Sequence, residues 1–221
     1  MLRGLFVTGT DTGVGKTVVC AALLHRYRRE TGVRYWKPIQ TGVEVDDDTA
    51  AVRDLAGGDP AAVLDCGVRL EQPVSPHLAA RLAGTALDVG DVASIVQGAA
   101  GETPWIVEGA GGVLVPVSEE RRMVDLIRAL GLPALVVARS TLGTINHTLL
   151  TLEALRRRDV RVSGVVMVGP LDPENRTAIE TFGDVPVVAE LPQLAPLSGA
   201  ALAAWARQSL DPRGVLSECF R

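Results

Sequence analysis

Residues 2–17 read Leu2-Arg3-Gly4-Leu5-Phe6-Val7-Thr8-Gly9-Thr10-Asp11-Thr12-Gly13-Val14-Gly15-Lys16-Thr17. The segment 2–8 is a short apolar run with the pattern of a buried strand. The glycines that follow let the backbone bend so that successive N–H groups face inward, and a helix starting at Lys16 adds its positive end. Lys16 is then placed to reach the β- and γ-phosphates of a nucleoside triphosphate, and the Thr17 hydroxyl to meet Mg²⁺. Asp11, Thr12, Gly13, Val14, Gly15, Lys16, Thr17 and Val18 are the candidate nucleotide-binding residues. Gly9 and Gly15 enclose five residues, where the common phosphate-loop pattern has four. The assignment therefore rests on Gly-Lys-Thr standing between a strand and a helix.

Outward from this loop, β-branched runs alternate with longer amphipathic stretches. Strands are expected over 33–37, 105–108, 134–138, 162–168 and 187–190. Helices are expected over 16–29, 49–56, 77–83, 89–97 (opened by Asp88), 123–130, 144–158, 175–182 and 199–209. Runs such as Leu135-Val136-Val137-Ala138 and Val165-Val166-Met167-Val168 are apolar throughout, as in strands buried on both faces. The reading is a three-layer α/β fold with a mainly parallel central sheet flanked by helices, one domain over 1–221. No internal repeat or long linker interrupts it. The tail from Asp211, with Pro212 and Gly214, is expected to be loosely held.

A net charge of −4 without a basic tract argues against a nucleic-acid surface. Arg156-Arg157-Arg158 reads as the solvated end of a helix. Cys20, Cys66 and Cys219 lack metal-ligand spacing and imply neither a zinc site nor a disulfide framework; Cys20 reads as a small core residue. No apolar stretch reaches the ~18 residues of a membrane span, and no signal peptide precedes the first strand. A cytoplasmic protein is the expectation.

In open parallel sheets the ligand lies beyond the carboxyl ends of the strands. The loop at Gly9 and the segments 37–42, 108–112 and 139–146 converge there. Glu108 ends an apolar strand beside glycines, a position suited to Mg²⁺, which prefers oxygen ligands. Lys37-Pro38 follows the second strand, where Lys37 is either a charge aimed at the ligand or an exposed turn lysine. Taken alone, Glu44-Val45-Asp46-Asp47-Asp48 reads as a solvated loop with Asp48 capping the next helix. His77 follows the rigid turn Pro73-Val74-Ser75-Pro76 and reads as structural, as does His147, with His25 on the surface.

Taken together, these segments resemble the dethiobiotin synthetase family. The resemblance is carried by 6–17, by Lys37-Pro38-Ile39-Gln40-Thr41-Gly42, by 73–77, by Val107-Glu108-Gly109-Ala110-Gly111-Gly112, and by Leu142-Gly143-Thr144-Ile145-Asn146-His147. It implies a P-loop ATPase fold and an ATP- and Mg²⁺-dependent ring closure of 7,8-diaminononanoate with CO₂. It implies catalytic roles for Lys37, Lys16 and Thr12, and Mg²⁺ held by Thr17, Asp48 and Glu108, with Asp46 and Asp47 left solvated. Thr12, Thr41, Gly109, Gly111 and Gly112 would line the diamine and carbamate pocket. A homodimer is implied, in which Thr144, Ile145 and Asn146 of one subunit meet the substrate carboxylate of the other.

One departure bears on the nucleotide. Family members commonly carry an Asn that reads adenine near the end of the strand 162–168, and here the position is Val168. Backbone at 192–194, beginning with Pro192, is the expected substitute, and other nucleoside triphosphates stay open. Two rival readings fit the chain less well. A partitioning-type switch ATPase carries a second lysine where this chain has Asp11. A cobyrinate-type amidating synthase usually appends a glutaminase domain, for which 221 residues leave no room.

Overall fold

A computed structural model describes residues 2–99 and 103–221. In chain order the elements are β1 (Gly4–Gly9), α1 (Lys16–Thr31), β2 (Arg34–Trp36), β3 (Ile39–Thr41), α2 (Asp48–Leu55), β4 (Val63–Leu64), β5 (Val68–Leu70), α3 (Pro76–Leu82) and α4 (Val89–Ala99). They continue with β6 (Trp105–Gly112), α5 (Met123–Leu130), β7 (Ala134–Arg139), α6 (Thr144–Arg156), β8 (Val162–Val168), α7 (Pro173–Gly183), β9 (Val187–Leu191) and α8 (Gly199–Ser209).

Seven strands form one sheet in the order β4-β2-β6-β1-β7-β8-β9, and every pairing is parallel. Successive side chains alternate between its faces. Phe6, Trp36, Trp105 and Val107 join one core with α4, α5, α6 and α7, while Leu5, Val7, Tyr35 and Ile106 join the other with α1 and α8. Helix–sheet–helix layering is thus what the two apolar faces require. The paired β3 and β5 form a second small sheet that periodicity did not reveal; strands of three residues are too short to carry a period.

Two other expectations need correcting. The tail is packed, not loose: Asp211, Leu216 and Phe220 are buried, and a short helical turn spans Ser217–Phe220. Asp211 accepts hydrogen bonds from the Tyr27 hydroxyl at 2.5 Å and from the backbone N–H groups of Val215 and Leu216 at 2.8 Å each. The Phe220 ring lies 4.6 Å from that of Tyr27. Pro212 and Gly214 therefore shape a return onto the sheet. Helix α6 is likewise shorter than expected, ending at Arg156 and not at 158; the Arg run is exposed at Arg156 and Arg157 as expected, and Arg156 also donates to the carbonyls of Gly183 and Asp184. No described helix is long and apolar enough to cross a membrane.

Candidate active site

The site grows from the edge where β1, β2 and β6 end. Trp36 pairs with Val107, so the next residues, Lys37 and Glu108, emerge side by side on the face covered by α1. Val7 pairs with Glu108, which brings the phosphate loop to the same edge. Gly15 starts α1 with a left-handed backbone (φ 96°), and a Cβ there would lie 3.1 Å from the Val168 side chain. The conformation favours glycine, and the space would leave a Cβ in tight contact.

Around this edge lies a cleft of about 690 Å³. It collects Thr12, Gly13, Gly15, Lys16, Thr17, Val18, Lys37, Thr41, Asp48, Glu108 and Gly111 of the expected residues. It also takes in Ser75 and Pro76, marked in the sequence only as a turn, and Leu197, which the sequence did not mark. Four arginines, Arg28, Arg29, Arg34 and Arg207, line a different cavity, of about 620 Å³, at the far end of α1; it holds none of the expected residues.

Lys37 is the hub. Its amine donates to Asp48 Oδ2 at 2.5 Å and to Glu108 Oε1 at 2.7 Å, with 4% of the side chain exposed. The exposed-turn reading of Lys37 is excluded. Burial alone would lower its pKa, but the two carboxylates outweigh that and hold it raised. Asp48 mirrors this: burial would raise its carboxyl, yet the charge and hydrogen bond of Lys37 keep it below the ordinary range. The Thr17 hydroxyl donates to Asp48 Oδ1 at 2.6 Å and lies 3.2 Å from Glu108 Oε1. Lys16 folds over the loop, its amine 3.1 Å from the Asp11 carbonyl; burial and then Lys37 lower its pKa.

Thr17, Asp48 and Glu108 thus offer one hydroxyl and two carboxylates at one point, a donor set that fits a hard divalent cation whose shell phosphates and water complete. No described cluster of three or more His, Cys, Asp or Glu side chains could cage a metal unaided. Asp47, not Asp48, caps α2, accepting from Ala50 N at 3.1 Å, and it also pairs with Arg69. This frees Asp48 for the cleft and replaces the solvated reading of Asp47. Tyr35, fully buried, donates to Glu108 Oε2 at 2.9 Å. Burial, then the Glu108 charge, push its hydroxyl well above the usual pKa. The buried Cys20 thiol is also pushed up, first by burial and then by Glu108, which suits a core residue and not a nucleophile.

Other expected residues stand outside the cleft. The Val14 side chain is core. Asp11 is turned aside, accepting from Thr12 N at 2.7 Å and from Arg139 at 2.6 Å. Gly109 is required by packing, since a Cβ would lie 2.8 Å from the Phe6 ring, and Gly112 backs onto the Gly9 carbonyl. Thr144 is buried, its hydroxyl donating to the Arg139 carbonyl, while Asn146 is exposed and Ile145 half-buried at the start of α6. Pro192 is half-buried and does not line the cleft, although Leu197 farther along the same loop does. His77 bonds Ser75 Oγ through Nδ1 at 3.0 Å, in keeping with a structural part. His147 is exposed, and His25 is tied to the Leu55 carbonyl at 2.8 Å instead of lying free on the surface.

Residues 3–201 match the AAA domain family. A ParA family ATPase from Chlorobium tepidum superposes with a TM-score of 0.59 over 100% of this chain and 98% of its own, at 12% identity, a likeness of fold. Sheet order, loop and cleft define the class: a P-loop protein built to bind a nucleoside triphosphate. The relatives narrow it. The ATP-dependent dethiobiotin synthetase of Paramagnetospirillum magneticum is 50% identical over 91% of this chain and 94% of its own length. A biotin biosynthesis bifunctional protein of Bordetella avium is 47% identical over 93% of this chain, which spans 43% of that longer protein. The chain belongs to the ATP-dependent dethiobiotin synthetase family.

Proposed function

We propose that this chain is a cyclo-ligase of biotin biosynthesis that makes dethiobiotin from 7,8-diaminononanoate, CO₂ and ATP, acting as one domain over residues 1–221. The observation that carries the reading is the meeting of Lys16, Thr17, Lys37, Asp48 and Glu108 in one cleft. One amine of the diamine adds to CO₂ and loses a proton, giving a carbamate. A carbamate oxygen then attacks the γ-phosphorus of ATP, and the bond to the departing ADP breaks. The second amine attacks the carbamoyl carbon, closes the five-membered urea and expels phosphate with that oxygen.

Each step gathers anions that repel one another, so positioning and charge neutralisation do the catalytic work. Lys16 serves the phosphates, and Lys37 the carbamate and the moving phosphoryl group. Thr12, Thr41 and Gly111 border the diamine. Thr17, Asp48 and Glu108 would hold Mg²⁺, which when bound supplies countercharge to the β- and γ-phosphates. The position of Lys37 against both carboxylates supports this reading, since it stores a cation beside the place where charge develops.

A homodimer completes the proposal. Leu142, just before α6, is 99% exposed, and Leu150 within α6 and Leu171 after β8 are more than half exposed, apolar surface that suits a second copy. A helix start there is suited to the substrate carboxylate of the partner. The cytoplasmic location belongs to the same proposal, as a biosynthetic family member. Val168 offers no side-chain amide to a base and packs against Gly15, so readout of adenine would fall to backbone of the loop that begins at Pro192, whose Leu197 lines the cleft.

The test is product formation from diaminononanoate, bicarbonate and Mg²⁺ with ATP, CTP, GTP and UTP in parallel. Dethiobiotin and phosphate are expected with ATP. No product with any of the four would overturn the reading. Lys37→Ala is expected to cut turnover well over ~10-fold, the scale of a lost transition-state charge contact; unchanged turnover would remove Lys37 from the site.

A further inference from the structure

Glu108 is wholly buried, and its two oxygens have different partners. Oε1 faces Lys37 and Thr17, the cleft side. Oε2 accepts the Tyr35 hydroxyl at 2.9 Å, from the sheet side. Tyr35 pairs with Ile106, two residues before Glu108 on the same face, so the tyrosine ring reaches along β6 and sets its hydroxyl against the carboxylate. The ring lies in the core on the α1 side of the sheet, in one cluster with Val19 and Leu23. The Cys20 thiol, a weaker donor, packs near the same carboxylate.

The terminal torsion of a glutamate is soft, with a broad rather than a three-well profile. Left to itself, Glu108 could turn both oxygens toward a cation, and Oε2 would otherwise be buried without a strong donor, which is costly. We propose that Tyr35 is a positioning residue for the cation site: by holding Oε2 it presents Oε1 alone to the metal and to Lys37. This rests on the reading of Thr17, Asp48 and Glu108 as the Mg²⁺ ligands. Tyr35 does not line the cleft and would act only through Glu108. Partners of this kind behind a metal ligand are typically worth ~10–100-fold in metal affinity.

The experiment is a titration with Mn²⁺, read by electron paramagnetic resonance of the free ion, on the parent and on Tyr35→Phe, each saturated with a non-hydrolysable ATP analogue. The expected result is Mn²⁺ binding weaker by ~10-fold or more in Tyr35→Phe. Nucleotide affinity in EDTA, and the KM for the diamine at saturating Mg²⁺, should stay within about twofold, because the tyrosine acts through the metal ligand alone. Equal Mn²⁺ affinities would overturn the proposal while leaving the metal reading in place. A parent that binds no Mn²⁺ would overturn both. Should Tyr35→Phe fail to fold, infrared difference spectra of the parent carrying ¹³C-glutamate decide the matter. One-oxygen coordination of glutamate on metal addition supports the proposal, and two-oxygen coordination overturns it.

Discussion

Lys37, Asp48 and Glu108 show how far single residues can be read without coordinates. Glu108 was legible because a carboxylate rarely ends an apolar strand beside glycines, and it lies in the cleft. Asp48 was not legible from its neighbours, since three adjacent aspartates are equivalent on paper; the resemblance singled it out. Their division of labour follows from helix geometry: Asp47 takes the cap, and Asp48, one position on, turns inward to Lys37. Tyr35 left no signal, because a buried tyrosine in a strand looks like core. The charge pair has a consequence in acid. Asp48 is depressed in the folded chain relative to its ordinary value of 3.8, so its contribution to stability is complete above that value and fades as pH falls through the lower folded one. In EDTA, the stability difference between the parent and Asp48→Asn should be constant from neutral pH down to about 4 and shrink below it. Urea melts across pH check this, and a difference that begins to shrink near pH 6 would contradict it.

At the scale of elements, α1, α5 and α8 were legible because each lays an apolar face on the sheet, whereas α6 buries three threonines beside Leu152 and Leu155. The short β3, β4 and β5 escaped notice for want of length. The C-terminal segment was misread for a different reason. Pro212 and Gly214 signal a break in helix, but the residues after them bring Leu216, Cys219 and Phe220 back to α1. Asp211 fastens that return with three hydrogen bonds to otherwise buried donors. Asp211→Ala should therefore lower unfolding free energy by roughly 3 kcal/mol, the cost of leaving such donors unpaired. Equilibrium urea denaturation measures it, and a loss near zero would mean the tail is held by its apolar contacts alone. The phosphate loop should still bind nucleotide in this variant, since α1 meets the tail one end away from Lys16.

For the whole molecule, the all-parallel sheet brings the carboxyl ends of β1, β2 and β6 to one cleft, and that much was expected from alternating strands and helices. The strand order was not legible, because parallel strands pair across long crossovers that leave no local mark. In the proposed dimer, Leu142→Asp should yield monomers by sedimentation, weaken use of the diamine and leave nucleotide binding intact; a dimer of unchanged affinity would place the interface elsewhere. In the proposed reaction this cleft moves a phosphoryl group onto a carbamate derived from CO₂. The decisive experiment runs the reaction with C¹⁸O₂ in ordinary water, before the label washes out, and weighs both products. Dethiobiotin with one ¹⁸O in its urea carbonyl and inorganic phosphate with one ¹⁸O are expected, each atom retained from the carbamate. Phosphate that carries only oxygen from ATP and water, formed while dethiobiotin accumulates, would contradict that reaction.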